Sequence, residues 1–367
     1  MNPVKKVVIV SPSLDLKKNI GGMSSVAGFV ISNNKSYEYS HFEIGRYDKE
    51  KRTVLYYFLI LKKWIHWFFL MTFGRNLLVH FNIALEKRSI IRDSPLLLYA
   101  QLLRKRLIIH IHGGLYLEKE QVPGWVKSVL RSILSGRDPK IVLSSVEQEL
   151  INKKFHAKNV FVLPNSLDIK EAKDFRRIYP DKGPIRLLFF GRIVKAKGIE
   201  YICRALKVLK EQDLPFKFIM AGNGEDRDEY VRRFSDILGP DFVYMGTVAG
   251  RVKTTLLKEC HVFLLPSLYE GLPISLLECM SFALVPVVTD VGSIKNVISD
   301  GYNGIIVSKY SYEDISEAVI RIINEKDLFE RLGVNAQQSI FENFNPNTYI
   351  KKLNEIYDQT QKDTSFV

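Results

Sequence analysis

The chain has 367 residues, 46% hydrophobic and 25% charged, which excludes a disordered or low-complexity protein and calls for two domains of roughly 150 to 200 residues each. Its three cysteines, Cys203, Cys260 and Cys279, lie far apart without metal-ligand or redox spacing and read as thiols of a protein kept in a reducing cytoplasm. The net charge of +13 is uneven: residues 1 to 170 hold 27 Lys+Arg against 13 Asp+Glu, and residues 171 to 367 hold 26 against 27. A basic first half suits anionic partners, whether a phospholipid surface, a phosphate-bearing acceptor or nucleic acid, or else it is a solvated basic face.

The first apolar run, Val7 to Val10, ends in Ser-Pro-Ser and is too short for a signal peptide, so it reads as a first strand. Gly21 and Gly22 follow it. Val54 to Phe73 is the most apolar stretch, but Lys62, Lys63 and His66 interrupt it before it reaches the roughly 18 unbroken residues of a membrane span. At 100° per residue these three fall within a sector of about 100°, with Trp64, Trp67, Phe68 and Phe69 outside it. Two readings follow: a helix lying in a membrane interface with Trp64 and Trp67 inserted, or a domain helix with one wetted stripe.

Further strands are expected at Leu77 to Phe81, Leu107 to Ile111, Ile141 to Ser145 and Val160 to Pro164. The charged stretch 171–184, with Pro180 and Gly183, reads as an interdomain linker. A second series follows at Arg186 to Gly191, Phe216 to Gly222, Val262 to Pro266 and Val285 to Asp290. Such alternation of apolar strands with helical stretches implies α/β architecture. Two doubly wound, Rossmann-like domains are expected, 1–170 and 185–344, facing across a cleft, with a helix at 345–360 packing back on the first.

The chemistry concentrates in YEGLPISLLECMSFALVPVV, where Glu270 and Glu278 are eight residues apart and Gly271 and Pro273 mark a tight loop before a helix. The amides of that helix start face an anion or sugar, and a glutamate one turn or so into it accepts two hydrogen bonds from a vicinal diol such as a ribose. In FFGRIVKAKGIE a strand ends at Gly191 and is followed by Arg192 and Lys197, two cations suited to a diphosphate. Taken singly each is a common surface residue; the ordered set is not.

With this set in order, the sequence resembles the family 4 retaining glycosyltransferases of the GT-B fold over nearly its whole length, most specifically in the C-terminal half. The resemblance implies that Glu278 holds the donor ribose, that Glu270 lies at the sugar and phosphates, and that Arg192 and Lys197 meet the diphosphate. It implies a sugar contact for the loop amides of Gly271, Leu272, Pro273 and Ile274. It also places donor contacts at Gly191, at Gly222 and Asn223 of AGNGED, and at Gly246 and Thr247, which would frame the base. In the first half it places Gly21 and Gly22 near the donor and His112 of IIHIHGG near the transferred sugar. His261 departs from the pattern, standing where an acid is frequent, and reads as structural.

The resemblance further implies a UDP- or GDP-linked sugar as co-substrate and no cofactor. Transfer would retain the anomeric configuration by front-face substitution, without metal. The acceptor is expected to be a saccharide or a polyprenyl-diphosphate-linked chain in surface-polysaccharide synthesis, at the inner face of the cell membrane, with no nucleic acid involved. The motif Asp226-Arg227-Asp228 reads as a helix start rather than a metal site. Two rival readings are a catalytically silent binding subunit and a nucleotide-sugar epimerase or phosphorylase on the same architecture.

Overall fold

The computed structural model describes residues 6–15, 18, 19, 21–45, 47, 50, 53–179 and 183–362, so Ile20, Pro180 and the rest of 180–182 lie outside it. The chain forms two compact units, one running to Asn165 and resuming at Asn347, the other spanning Ser166–Pro346. Each holds six parallel strands flanked by helices.

The strands of unit 1 are β1 (Lys6–Ser11), β2 (Glu38–Glu43), β3 (Leu77–Ile83), β4 (Arg106–Ile111), β5 (Lys140–Val142) and β6 (Val160–Val162). They stand in the order β2-β1-β3-β4-β5-β6. Because crossover helices cover both faces, the inner strands are apolar on both sides instead of alternating, while β2 at the sheet edge keeps exposed polar positions. Val8 and Val10 belong to one buried cluster with Trp67, Met71 and Leu97. Val7 and Ile9 belong to another, completed by Tyr349, Leu353 and Tyr357 of the C-terminal helix Pro346–Lys362. That helix is tied down by Tyr357 Oη on His80 Nδ1 at 2.6 Å, Tyr37 Oη on Asp358 at 2.7 Å and Asn34 on Asn354 at 2.7 Å.

Val54–Phe73 is one unbroken helix, and the structure corrects which of its aromatics face inward. Trp67 is fully buried, its indole N–H donates to Leu96 O at 3.0 Å, and its ring meets Phe42 and Phe81 edge-on. Trp64 and Phe68 are partly buried against the same cluster. Neither tryptophan is therefore an inserting group. Outside the Lys62, Lys63 and His66 sector the helix is apolar, so periodicity alone could not tell which of its aromatics face inward.

In unit 2, β7 (Ile185–Arg192), β8 (Phe216–Asn223), β9 (Phe242–Gly246), β10 (Val262–Leu265), β11 (Val285–Thr289) and β12 (Ile305–Val307) stand in the order β12-β11-β10-β7-β8-β9. The first part of the segment read as a linker packs on this unit. The Arg177 guanidinium donates to the carbonyls of Leu257, Lys258, Phe282 and Ala283, closing the C-terminal ends of helices Gly250–Glu259 and Ile274–Ser281. A cation at two helix C-termini also complements both dipoles. Tyr179 Oη adds a bond to Ala283 O at 3.0 Å.

Unit 1 carries an acid-sensitive core. Burial pushes His80 and His112 down to about 3 and His110 well below the ordinary 6.5, and neighbouring imidazoles depress His110 and His112 further. A buried base with a lowered folded pKa binds its proton preferentially in the unfolded chain. The stabilisation is thus complete above about 6.5 and is lost as pH falls towards 3. The urea midpoint of the full chain is expected to drop progressively below about pH 6.5, and His110→Leu should make that slope shallower. Identical slopes in the two proteins would show that these imidazoles are not responsible.

Candidate functional site

In unit 2 the first strand, β7, stands between β8 and β10, so the chain crosses from one side of the sheet to the other beside it. The loops leaving the carboxyl ends of β7 and β10 diverge there, and open parallel sheets take ligands at such a switch point. Gly191 and Arg192 close β7 in register with Gly222 and Asn223 of β8. The strands approach so closely that a Cβ on Gly222, whose φ is +136°, would lie 1.8 Å from Gly191 O. Asn223 builds the loop itself: Oδ1 accepts from Gly224 N at 2.9 Å and its carbonyl accepts from Ile193 N at 2.9 Å.

After β7 the chain makes a short turn, Lys195–Lys197, and enters helix Ile199–Glu211 through Gly198. Gly198 has φ +73°, and a Cβ there would stand 1.9 Å from Pro266 O, in the loop after β10. The same two loops are joined by Leu268 N donating to Ala196 O at 2.9 Å. Lys197 is thereby aimed at the β10 loop, with Nζ 2.5 Å from Glu270 Oε1. Ser267 Oγ donates to the same oxygen at 2.7 Å. Asp226 of the Asp-Arg-Asp motif caps the turn from the β8 side, accepting from Lys195 N at 2.8 Å.

Beyond Glu270 and Gly271, the side chains of Leu272, Pro273 and Ile274 are buried, so what they present to a ligand is backbone. Helix Ile274–Ser281 starts there, and its first amides lack intrahelical partners. Glu278 accepts from Lys253 Nζ at 2.7 Å. Lys253 belongs to Gly250–Glu259, the helix entered just after Gly246 and Thr247 at the end of β9. Gly246 has φ +66° and Thr247 is exposed. His261 has a backbone role: Nδ1 accepts from Arg186 N at 3.0 Å, and burial lowers it to about 4.

The remaining expected residues belong to unit 1. Gly21 N donates to Asn19 Oδ1 at 2.7 Å, and Gly22 opens helix Gly22–Asn33. His112 follows β4, with Nε2 2.7 Å from Asn82 Oδ1. Asn82 gives its amide N–H to Val10 O at 2.9 Å, which turns its oxygen towards His112. The imidazole therefore carries its proton on Nε2 and leaves Nδ1 as an acceptor.

Unit 2 thus brings Arg192, Lys197, Glu270 and the Gly271–Ile274 backbone to one switch point, and Glu278 to a neighbouring helix. The sequence reading did not include Lys253, Ser267, Asn82 or Asn19. Ser267, three residues before Glu270, and Asn19, two before Gly21, lie close in sequence to their partners. Lys253 and Asn82 meet their partners across distant segments.

Residues 170–339 match the family model for glycosyl transferases group 1. That stretch, just under half of the chain, is what resembles the group 1 glycosyltransferases. An uncharacterized glycosyltransferase of Methanocaldococcus jannaschii is 26% identical over 303 residues, covering 77% of this chain and 76% of that protein. The N,N'-diacetylbacillosaminyl-diphospho-undecaprenol alpha-1,3-N-acetylgalactosaminyltransferase of Campylobacter jejuni is 27% identical over 194 residues, covering 53% of this chain but only 50% of that enzyme. Among solved structures, Anabaena HepE in complex with UDP-glucose aligns with TM-score 0.72 at 16% identity, over 96% of this chain and 99% of that one. The chain has the GT-B fold, two Rossmann-like domains.

The Gly198 contact gives a direct test. A β-carbon there meets backbone rather than a movable side chain, and left-handed φ alone costs a non-glycine residue about 1 to 3 kcal/mol. Gly198→Ala should lower the denaturant midpoint of the chain and depress activity together. Wild-type stability and activity in that variant would show that the two loops do not constrain each other.

Proposed function

We propose that the chain moves a sugar from a UDP- or GDP-linked donor, with retention and without metal, to a saccharide or polyprenyl-diphosphate-linked acceptor. The observation that carries this reading is the cluster of Arg192, Lys197 and Glu270 at the switch point of the unit 2 sheet, beside a helix N-terminus. Cations, amides and a carboxylate in that arrangement match a diphosphate joined to a sugar. The C. jejuni relative's name carries a diphospho-undecaprenol acceptor, which supports the acceptor class.

In this mechanism Glu278 accepts the ribose hydroxyls and the amides of Gly271, Leu272 and Ile274 hold the sugar. Gly246 and Thr247 frame the base, and Gly21 and Gly22 let backbone come near the donor. As the anomeric bond breaks, charge grows on the β-phosphate. Arg192 and Lys197 offset it, and helix amides add to the same field. The phosphate takes the proton of the incoming hydroxyl on the face from which it leaves. The charged side chains at this switch point are thus suited to leaving-group stabilisation, and no carboxylate is assigned as a covalent nucleophile. The chemistry would run in the cytoplasm, in keeping with the three buried free thiols.

Glu278→Ala should weaken binding of the nucleotide product by about 1.5 to 3 kcal/mol for each charge-assisted bond lost, roughly tenfold to a hundredfold in Kd. Isothermal calorimetry reads this directly, and unchanged affinity would remove Glu278 from the site.

Lys197→Ala and Arg192→Ala should depress kcat more than nucleotide affinity, because the charge they meet is largest in the transition state. Wild-type turnover in both variants would refute the diphosphate assignment. Turnover should persist in EDTA, and a strict requirement for a divalent ion would refute the metal-free mechanism.

A further inference from the structure

Helix Val54–Phe73 meets the length and composition of a membrane-crossing helix, with a mean hydropathy of 1.3, yet only 11% of that window is buried. Its inner stripe is built into the domain through Trp67 and Met71, the Trp67 bond to Leu96 O, and Lys63 on Glu43 at 3.0 Å. Its outer stripe is bare and mostly apolar: Phe58 is 60% exposed, Ile65 61%, Phe69 64% and Phe73 66%, with Leu55 and Leu61 beside them and the polar Lys62 and His66 exposed among them. The adjoining helix Lys87–Leu102 is joined through Phe68–Tyr99 and Thr72–Tyr99, and it exposes Leu102 one turn beyond Tyr99. Contiguous exposed apolar surface of this kind marks an interaction site.

Charge identifies the occupant. Residues 51 to 85 contain no Asp or Glu, and the first 170 residues carry the whole excess of positive charge. Lys62, Arg75, Lys87, Arg88 and Arg104 are exposed on or next to the two helices. A second copy of this face would set those cations against their own kind. An anionic bilayer supplies the opposite charge at its headgroups and hydrocarbon for the rings. A spanning pose would strip Trp67, Met71 and Lys63 from their partners, whereas a helix lying in the interface keeps all of them.

We propose that the outer stripe of helix 54–73, led by Phe58, Ile65, Phe69 and Phe73, docks unit 1 flat on an anionic lipid surface, with Lys62 and Arg75 at headgroup level. The inference stands apart from the sugar chemistry and is read without it.

The test is flotation of the full chain with vesicles of phosphatidylglycerol and phosphatidylcholine, or of phosphatidylcholine alone, at low and high salt. Binding is expected on the anionic vesicles, weakening as salt rises. Phe58→Glu/Phe69→Glu should lower partitioning by roughly a hundredfold while nucleotide binding stays at the wild-type level. Phe58→Leu/Phe69→Leu should retain it. No binding of the wild type to anionic vesicles at low salt would overturn the proposal, and so would equal binding by the glutamate variant. A lipid-free dimer in sedimentation velocity that the glutamate variant dissociates would assign the face to a second copy instead. Resistance of bound protein to alkaline carbonate extraction would mean a spanning helix and overturn the in-plane pose. Nucleotide binding measured on the same samples separates a failure here from a failure of the glycosyltransferase reading.

Discussion

The arrangement of unit 2 depends on one steric fact: the turn after β7 and the loop after β10 touch backbone to backbone at Gly198 and Pro266. With no side chain at 198 the two loops close on each other, and the Leu268 to Ala196 bond fastens them. Lys197, one residue before the contact, reaches Glu270 from there. The helix that begins at Ile274 starts three residues beyond Gly271, so its unpaired amides open beside the same carboxylate. A sheet of parallel strands guarantees only that loops diverge at the switch point. The close contact turns that divergence into a place where a cation, an anion and a helix N-terminus meet.

Two ion pairs occupy this region, Lys197 with Glu270 and Lys253 with Glu278, and both carboxylates are largely shielded from solvent. A partly buried pair gains little net stability once desolvation is counted, but removing one partner alone leaves a costly charge. Such pairs keep each side chain extended and in place while the charge stays balanced.

The strands were legible because a parallel sheet covered on both faces leaves uninterrupted apolar runs, and the run beginning at Val7 and that ending at Ile111 needed only that argument. Glu270 and Glu278 were legible because a Gly-Pro turn and a helix start lie between them. The inward face of helix 54–73 was not. Its three polar residues define a sector, but with apolar groups over the rest of the helix, tertiary contact with Phe42, Phe81 and Leu96 decides which side is in. The stretch around Arg177 was misleading for a related reason. Its charge and proline suggest solvent, while the guanidinium is spent on main-chain carbonyls of two helices far away in sequence. Contacts of that range leave no periodic trace.

His112 shows how a distant contact also limits what a residue offers chemically. Val10 O holds the Asn82 amide nitrogen, so the Asn82 oxygen faces His112 Nε2 and fixes the proton there. Burial, with His80 beside it, pushes the ring down to about 3 and so favours its neutral form. A neutral imidazole with Nε2–H already engaged presents one lone pair, on Nδ1. It accepts a hydrogen bond and brings no positive charge. A hydroxyl group satisfies that requirement, whereas a phosphate oxygen, itself only an acceptor, does not. The chemistry left to His112 is therefore to accept a hydrogen bond from a neutral donor.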